Sequence, residues 1–425
     1  MSRRIVQIDE KLPLSRSLPL ALQHVFAMFG ATVLVPFLTG LSPSVALLTS
    51  GIGTLIFHFF TKGKIPAYLG SSFAFIAPLA LYVKDKHSIG EAMGGAMIAG
   101  LVYLLVFLVI KLFGTDFIEK YVPNIVVGPV VMIIGLSLAG TAVNSMASNN
   151  WAVAIFTLVA TIFFSVFGKG LFEIIPILLG IISGYLFSIL VQFAGWLPQL
   201  KVWGLASGDQ LVDFSKIASA SLFTNPTAQY ASEKVFSFAS FNFPIPQFTI
   251  AAIFAIAPIA LVTIIEDLGH IFVIGNVTGK DMIKDPGFDK VLLGNGLATI
   301  VAAFFGGPPS TTYGENIGVL AITKVYSAWI IRIAAVIAIV LSMVGYLSAA
   351  ISSIPVAVMG GICILLFGMI AAAGMRTMIE AKSDLSSTRN LIIVAIILIL
   401  GVGTGKVGYA TLAGIILNLV LPKKA

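Results

Sequence analysis

The sequence predicts an all-α integral membrane protein of about fourteen transmembrane segments, built as a seven-plus-seven inverted repeat, with spans 3 and 10 broken. Three observations carry this reading. Of 425 residues, 58% are hydrophobic and 10% charged, with a mean hydropathy of +1.04, whereas a soluble domain carries about 25% charged residues. The 25 Lys and Arg residues fall at the ends of apolar runs and segregate nineteen to six between the two sides. Residues 306–324 interrupt an almost uncharged apolar region and contain Glu315.

Taken in order, residues 1–16 read as a charged cytoplasmic tail, because no small-residue cleavage site follows a short apolar core. Runs long enough to cross the hydrocarbon core, about 20 residues, lie at 17–37, 44–61, 65–83, 91–113, 123–145, 151–168, 171–197, 248–276, 289–306, 309–325, 327–352, 355–374, 389–404 and 407–421. They fall into two sets of seven, 17–197 and 248–421. The one long hydrophilic connection, 198–247, separates the halves. An even span count puts both termini on one side. With the termini inside, nineteen of the 25 basic residues are inside and six outside, as the positive-inside rule requires. The expectation is a multi-pass protein of the cell inner (plasma) membrane, with lipid around it, both termini cytoplasmic and the long loop outside. The net charge of +7 is spread over span ends and does not point to nucleic acid. The single cysteine, Cys363, excludes an intramolecular disulfide and reads as a packing residue.

Three short matches relate the halves. Leu22-Gln23-His24 recurs as Ile265-Glu266-Asp267, Tyr68-Leu69-Gly70-Ser71-Ser72 loosely as Thr312-Tyr313-Gly314-Glu315-Asn316, and the Pro123–Pro129 run as the Pro355–Gly361 run. Seven spans per half is odd, so the second copy starts on the opposite face. Inverted repeats with broken spans are the build of secondary transporters, with the solute site between the repeats. Backbone freed by a break is tolerated in the bilayer only where protein or a watery cavity meets it.

The residues that could carry chemistry lie on spans 8, 10 and 3. Glu266 and His270 are four apart and share one face of a helix, and a mid-membrane carboxyl is costly enough to mark a functional candidate. A buried structural hydrogen-bonded pair is the bland alternative. Asp267 points about 100° away and reads as a supporting partner. In span 10, Gly306-Gly307-Pro308-Pro309 stops a helix, Ser310 to Tyr313 is β-prone, and a helix resumes near Asn316. Glu315 stands at that break. It could merely cap the helix, a task Asn316 could perform alone. Span 3 carries the matching break, with Ser71, Ser72 and Phe73 beside it. Gln23 and His24 on span 1 read as a satisfied buried pair behind the site. His58 and His87 lie near span ends and suggest nothing specific.

The run Glu315-Asn316-Ile317-Gly318-Val319-Leu320-Ala321-Ile322-Thr323-Lys324 resembles the signature of the nucleobase–ascorbate transporter family: acidic or amide, Asn, any residue, Gly, four residues, Thr, basic. The opening Glu is similar to the bacterial uracil permease branch, and the Glu266…His270 pair, Ser72-Phe73 and the Pro355…Gly361 segment fit as well. The likeness covers essentially the whole chain. It implies a core domain of spans 1–4 (residues 17–113) and 8–11 (248–352), a gate domain of spans 5–7 (114–197) and 12–14 (353–425), and short antiparallel strands in spans 3 and 10. It implies uracil as solute, bound by Glu266, Glu315 and the backbone N–H groups of Phe73 and Gly314. His270 would support Glu266 in proton coupling, with Ser72, Tyr313, Asn316, Asp267, Gln23 and His24 around them. Such members often work as homodimers, and no cofactor is implied.

The chemistry fits independently. Uracil offers two N–H donors and two carbonyl acceptors; carboxylates accept from the former and backbone N–H groups donate to the latter. A carboxyl shielded from water favours its neutral form, which suits it to carry a proton. Competing readings are a carrier of another oxo-base such as xanthine or urate, an intramembrane metal enzyme using Glu266, His270 and Glu315, and a channel. The enzyme reading lacks an HExxH motif and enough His or Cys for a zinc site.

Overall fold

Apolar runs punctuated by Gly, Pro and Ser set the helix boundaries. The first helix, α1 (Leu14–Thr39), stops at Gly40 with φ +83°, and α2 (Pro43–Phe60) starts with Pro43 at its first turn while Ser42 Oγ accepts from Val45 N. Proline at that position loses no helical hydrogen bond, and Gly adopts the left-handed cap without a Cβ penalty. The structure is a computed structural model and describes residues 5–85, 88–114, 123–206, 210–231, 235–238 and 241–422. His87 and the basic residues Arg3, Arg4, Lys86, Lys120, Lys234, Lys423 and Lys424 lie outside the described residues.

Span 3 is not a continuous helix. It is a strand, β1 (Leu69–Ser71), followed by a tight turn at Phe73–Phe75 and the short α3 (Ile76–Ala80). The first half continues through α4 (Ile89–Phe113), α5 (Asn124–Ser137), α6 (Trp151–Phe167) and α7 (Pro176–Phe193). A small hairpin follows, β2 (Val235–Phe238) with β3 (Phe241–Pro244). The second half holds α8 (Ile259–Thr278, entered through Ile250–Ile256) and α9 (Phe288–Phe304). Then come β4 (Ser310–Thr312), α10 (Gly314–Thr323), α11 (Ala328–Ser342), α12 (Val356–Glu380), α13 (Thr388–Thr404) and α14 (Val407–Val420). Among the described residues, eight helices are long and apolar enough to cross a membrane alone. Four shorter apolar helices and the two broken segments coincide with the other predicted runs.

The packing has a two-fold pattern. Exchanging each element with the one seven places on converts the α2–α11 contact into α9–α4, α1–α11 into α8–α4, α5–α13 into α12–α6 and α6–α7 into α13–α14, and every one of these pairs is present. The α2–α9, α5–α12 and β1–β4 pairs map onto themselves. The β1–β4 pair is antiparallel. Each strand continues into its own span, so the two halves run in opposite directions. At the α5–α12 crossing Gly128 and Gly374 approach each other's carbonyl oxygens, a contact that Cβ atoms would block.

Two sequence expectations are corrected here. The match of residues 68–72 to 312–316 is three residues out of register. β1 at 69–71 corresponds to β4 at 310–312, and Ser72, which starts one helical turn, corresponds to Tyr313, which starts the other. The two glycines are not equivalent: Gly70 lies against the Tyr313 ring, while Gly314 begins α10. His58, expected to do nothing specific, is buried; its Nε2 lies 2.9 Å from Ala67 O, and Arg332 Nε donates to its Nδ1 at 3.3 Å.

Described parts of the connection 198–247 pack on the ends of the spans. Tyr230 Oη donates to Gly306 O at 2.7 Å and accepts from Ser42 N, and Gln247 N donates to Gly90 O. The N-terminal segment is also docked. Val6 N donates to Lys324 O, Tyr326 N to Val6 O and Ala328 N to Ile8 O, with Val6 and Ile8 buried.

Candidate functional site

The β1–β4 ladder holds the two breaks together. It runs from Tyr313 N donating to Tyr68 O at 2.9 Å to Ser72 N donating to Pro309 O at 3.0 Å. Phe73 and Gly314 each open a helical turn just past this ladder. The N–H groups of a first turn have no intrahelical acceptor, so each break leaves donors at its rim. α8 packs against both breaks and against β4.

The face of α8 turned to the first break carries Glu266, Gly269 and His270. With Phe73 they line a cavity of about 790 Å³ that runs to Asn124 at the start of α5 and to Thr377, Glu380 and Ala381 at the end of α12. The mean lining is apolar, and no Lys or Arg is among its described residues. Glu266 is open to this cavity although it lies deep within the spans. A neutral polar solute fits such walls, because acceptors and donors are present without a fixed cationic charge.

Asp267 faces the other way and is sealed. Its Oδ1 accepts from Thr312 N (3.0 Å), Thr312 Oγ1 (2.7 Å) and Thr311 Oγ1 (3.0 Å); its Oδ2 accepts from Tyr103 Oη (2.9 Å) and Asn295 Nδ2 (2.6 Å). One carboxylate thus ties α8 to β4, α4 and α9. His270 Nδ1 lies 2.9 Å from Thr312 Oγ1, and its Nε2 edge faces Gly314.

Glu315 does not line the same cavity as Glu266. With Gly318 and Ile322 it lines a smaller cavity of about 260 Å³ that also meets Ser165, Glu173 and the start of α7. The remaining predicted residues surround the breaks. Asn316 Nδ2 donates to His24 Nδ1 and His24 O, both at 3.1 Å. Tyr313 Oη donates to Ser71 O and accepts from Thr32 Oγ1. Ser72 Oγ accepts from Ala74 N at 3.3 Å. The Gln23 side-chain oxygen is buried without a partner among the described residues, so Gln23 and His24 do not form the pair expected of them.

Sequence reasoning missed Tyr103, Asn295, Thr311 and Thr312. The two threonines sit in the β-prone run already singled out, but Tyr103 and Asn295 reach Asp267 only through the packing of α4 and α9 on α8. Among the described residues no three of His, Cys, Asp and Glu converge as a metal site.

A family model described as the permease family matches residues 15–408. The chain belongs to the permease family. The uracil permease of Bacillus caldolyticus is 44% identical, over 99% of this chain and 96% of that one. The uracil permease of Escherichia coli (strain K12) is 42% identical, over 99% of this chain and 93% of that one. Among solved structures, the transmembrane domain of a cyanobacterial bicarbonate transporter, BicA, superposes with a TM-score of 0.64 at 15% identity, covering 97% of this permease and 100% of that chain. That last likeness concerns the fold alone. This permease is a multi-pass membrane protein.

Proposed function

We propose that this permease takes up uracil with a proton across the cytoplasmic membrane by alternating access. The observation that carries the reading is the cavity in which Glu266 and His270 meet the rim of the span 3 break, with no Lys or Arg among the described residues of its wall. The names of relatives above 40% identity over nearly the whole chain supply the solute. Uracil sits against Phe73, Glu266 and Gly314. Glu266 accepts a ring N–H, and a backbone N–H at a break donates to a ring carbonyl. Glu315 closes on the solute from the neighbouring cavity when the two packing groups approach. The group containing α2, α4, α9 and α11 is the core domain, and the group around α5 and α12 is the gate. Both termini are cytoplasmic, so the cavity running to Thr377 and Glu380 opens inward.

Glu266 carries the proton, with His270 beside it. A solute and a proton drive one another only if both favour the same conformation; a neutral Glu266 is the form compatible with closure around a neutral base. Competition for uptake of labelled uracil by thymine, xanthine and urate tests the solute. Strong competition by uracil and weak competition by xanthine and urate is expected. Stronger inhibition by xanthine or urate than by uracil would reassign the solute.

A further inference from the structure

Thr312 touches both His270 and Asp267, and its single hydroxyl proton cannot serve both. Asp267 Oδ1, 2.7 Å away, is surrounded by donors and acts only as an acceptor. The Thr312 proton is therefore committed to Asp267, and the same oxygen presents lone pairs to His270 Nδ1 at 2.9 Å. Nδ1 must then be the donor. A neutral imidazole has one N–H, so Nε2 is left bare, on the edge that faces Gly314.

We infer that Thr312 is a positioning residue that holds His270 in the Nδ1–H tautomer, with the Nε2 lone pair turned to Gly314. The opposite tautomer would set the Nδ1 lone pair against that of Thr312. Escape from this would require Thr312 to abandon Asp267, leaving a buried acceptor short of a donor. Thr312 itself is fixed by its backbone N–H on Asp267 and by its pairing with Leu69 in β1. Asp267 is fixed in turn by Tyr103 and Asn295. The tautomer of a residue on α8 is thus set from β4, α4 and α9. Any proton the ring accepts enters at Nε2, on the side of the break. The titratable groups nearest the ring are Glu266 and, farther along the same cavity, Glu380, Asp267 behind Thr312, and Tyr313 and Glu315 on either side of Gly314; Tyr103 lies beyond Asp267. Second-partner hydrogen bonds of this kind fix tautomers in other histidine sites. The inference deepens the proposed coupling role of His270 and rests on it for consequence, but not for its test.

The chain has 4 His, so ¹⁵N-histidine labelling with a His270→Gln difference spectrum isolates one ring. Neutral His270 should show a protonated Nδ1 and a bare Nε2. Thr312→Val, equal in shape, should admit the Nε2–H tautomer, and Thr312→Ser should restore the original. An Nε2–H signature in the unaltered protein overturns the inference whether or not any variant folds, as does an unchanged tautomer in Thr312→Val. In transport, Thr312→Val should slow gradient-driven accumulation about tenfold, a smaller loss than removing a proton-transfer group outright, with uracil affinity nearly unchanged; accumulation at the full rate beside a changed tautomer would overturn the coupling role of His270 and leave the tautomer assignment standing. The spectrum requires no solute, so a permease that ignores uracil would refute the proposed function and leave this result to stand alone.

Discussion

Glu266 and Asp267 are adjacent in sequence and opposite in circumstance. Glu266 is open to the cavity, while all five hydrogen bonds of Asp267 point into the protein. Hydrogen bonds to a charged group contribute about 1.5–3 kcal/mol each, so Asp267→Asn, which sets an NH₂ against donors, should lower the thermal midpoint in detergent sharply. Glu266→Gln should leave it nearly unchanged. Equal melting of the two variants would refute this division of labour. Glu315→Gln keeps the side chain's size but opposes a ring N–H, at about 1.5–3 kcal/mol, or roughly ten- to a hundredfold in uracil affinity. Binding by Glu315→Gln as tight as by the unaltered protein would remove Glu315 from the solute's surroundings. A carboxyl in an apolar run was legible as a candidate from its cost alone. Which neighbour is sealed was only partly legible: the 100° step separated Asp267 from Glu266, but its partners Tyr103 and Asn295 come from other helices.

At the scale of elements, the apolar runs and their Gly and Pro punctuation located the helices, and the break at 306–310 was plain because three residue types changed at once. The break in span 3 was harder to register, since its strand is three residues long and its glycine answers to packing. Gly70 lies so close to Tyr313 that a Cβ there would overlap the ring. Gly70→Val should therefore part β1 from β4 and prevent recovery of folded protein from detergent extraction; normal yield and melting would contradict that account. The docked N-terminal segment left no sequence signal beyond Val6 and Ile8, because backbone pairing to a loop needs no long apolar run. Its three backbone hydrogen bonds and the Ser327 Oγ donation to Glu10 O at 2.6 Å should contribute about 0.5–1.5 kcal/mol each. Deleting residues 1–10 should lower the thermal midpoint, and a deletion that melts like the full chain would show the docking to be inconsequential.

For the whole molecule, the two-fold packing pattern interleaves the halves, with β1 and β4 paired in one ladder, so the motion proposed above is of the core group, which carries that ladder, against the gate group. The odd number of spans per half foretold this inversion, and the distribution of basic residues is what supports the proposed orientation. The large cavity reaches one end of α12, which in the proposed orientation is its cytoplasmic end. What no stretch of sequence carried was the separation of Glu266 and Glu315 into two cavities, which depends on how α7 and α12 pack against α10. Uptake into proteoliposomes shows whether a proton gradient drives uracil through Glu266. With an inward proton gradient, the unaltered permease should accumulate uracil above its external concentration, and Glu266→Gln should not. Accumulation by Glu266→Gln equal to that of the unaltered protein would show that Glu266 does not carry the coupled proton.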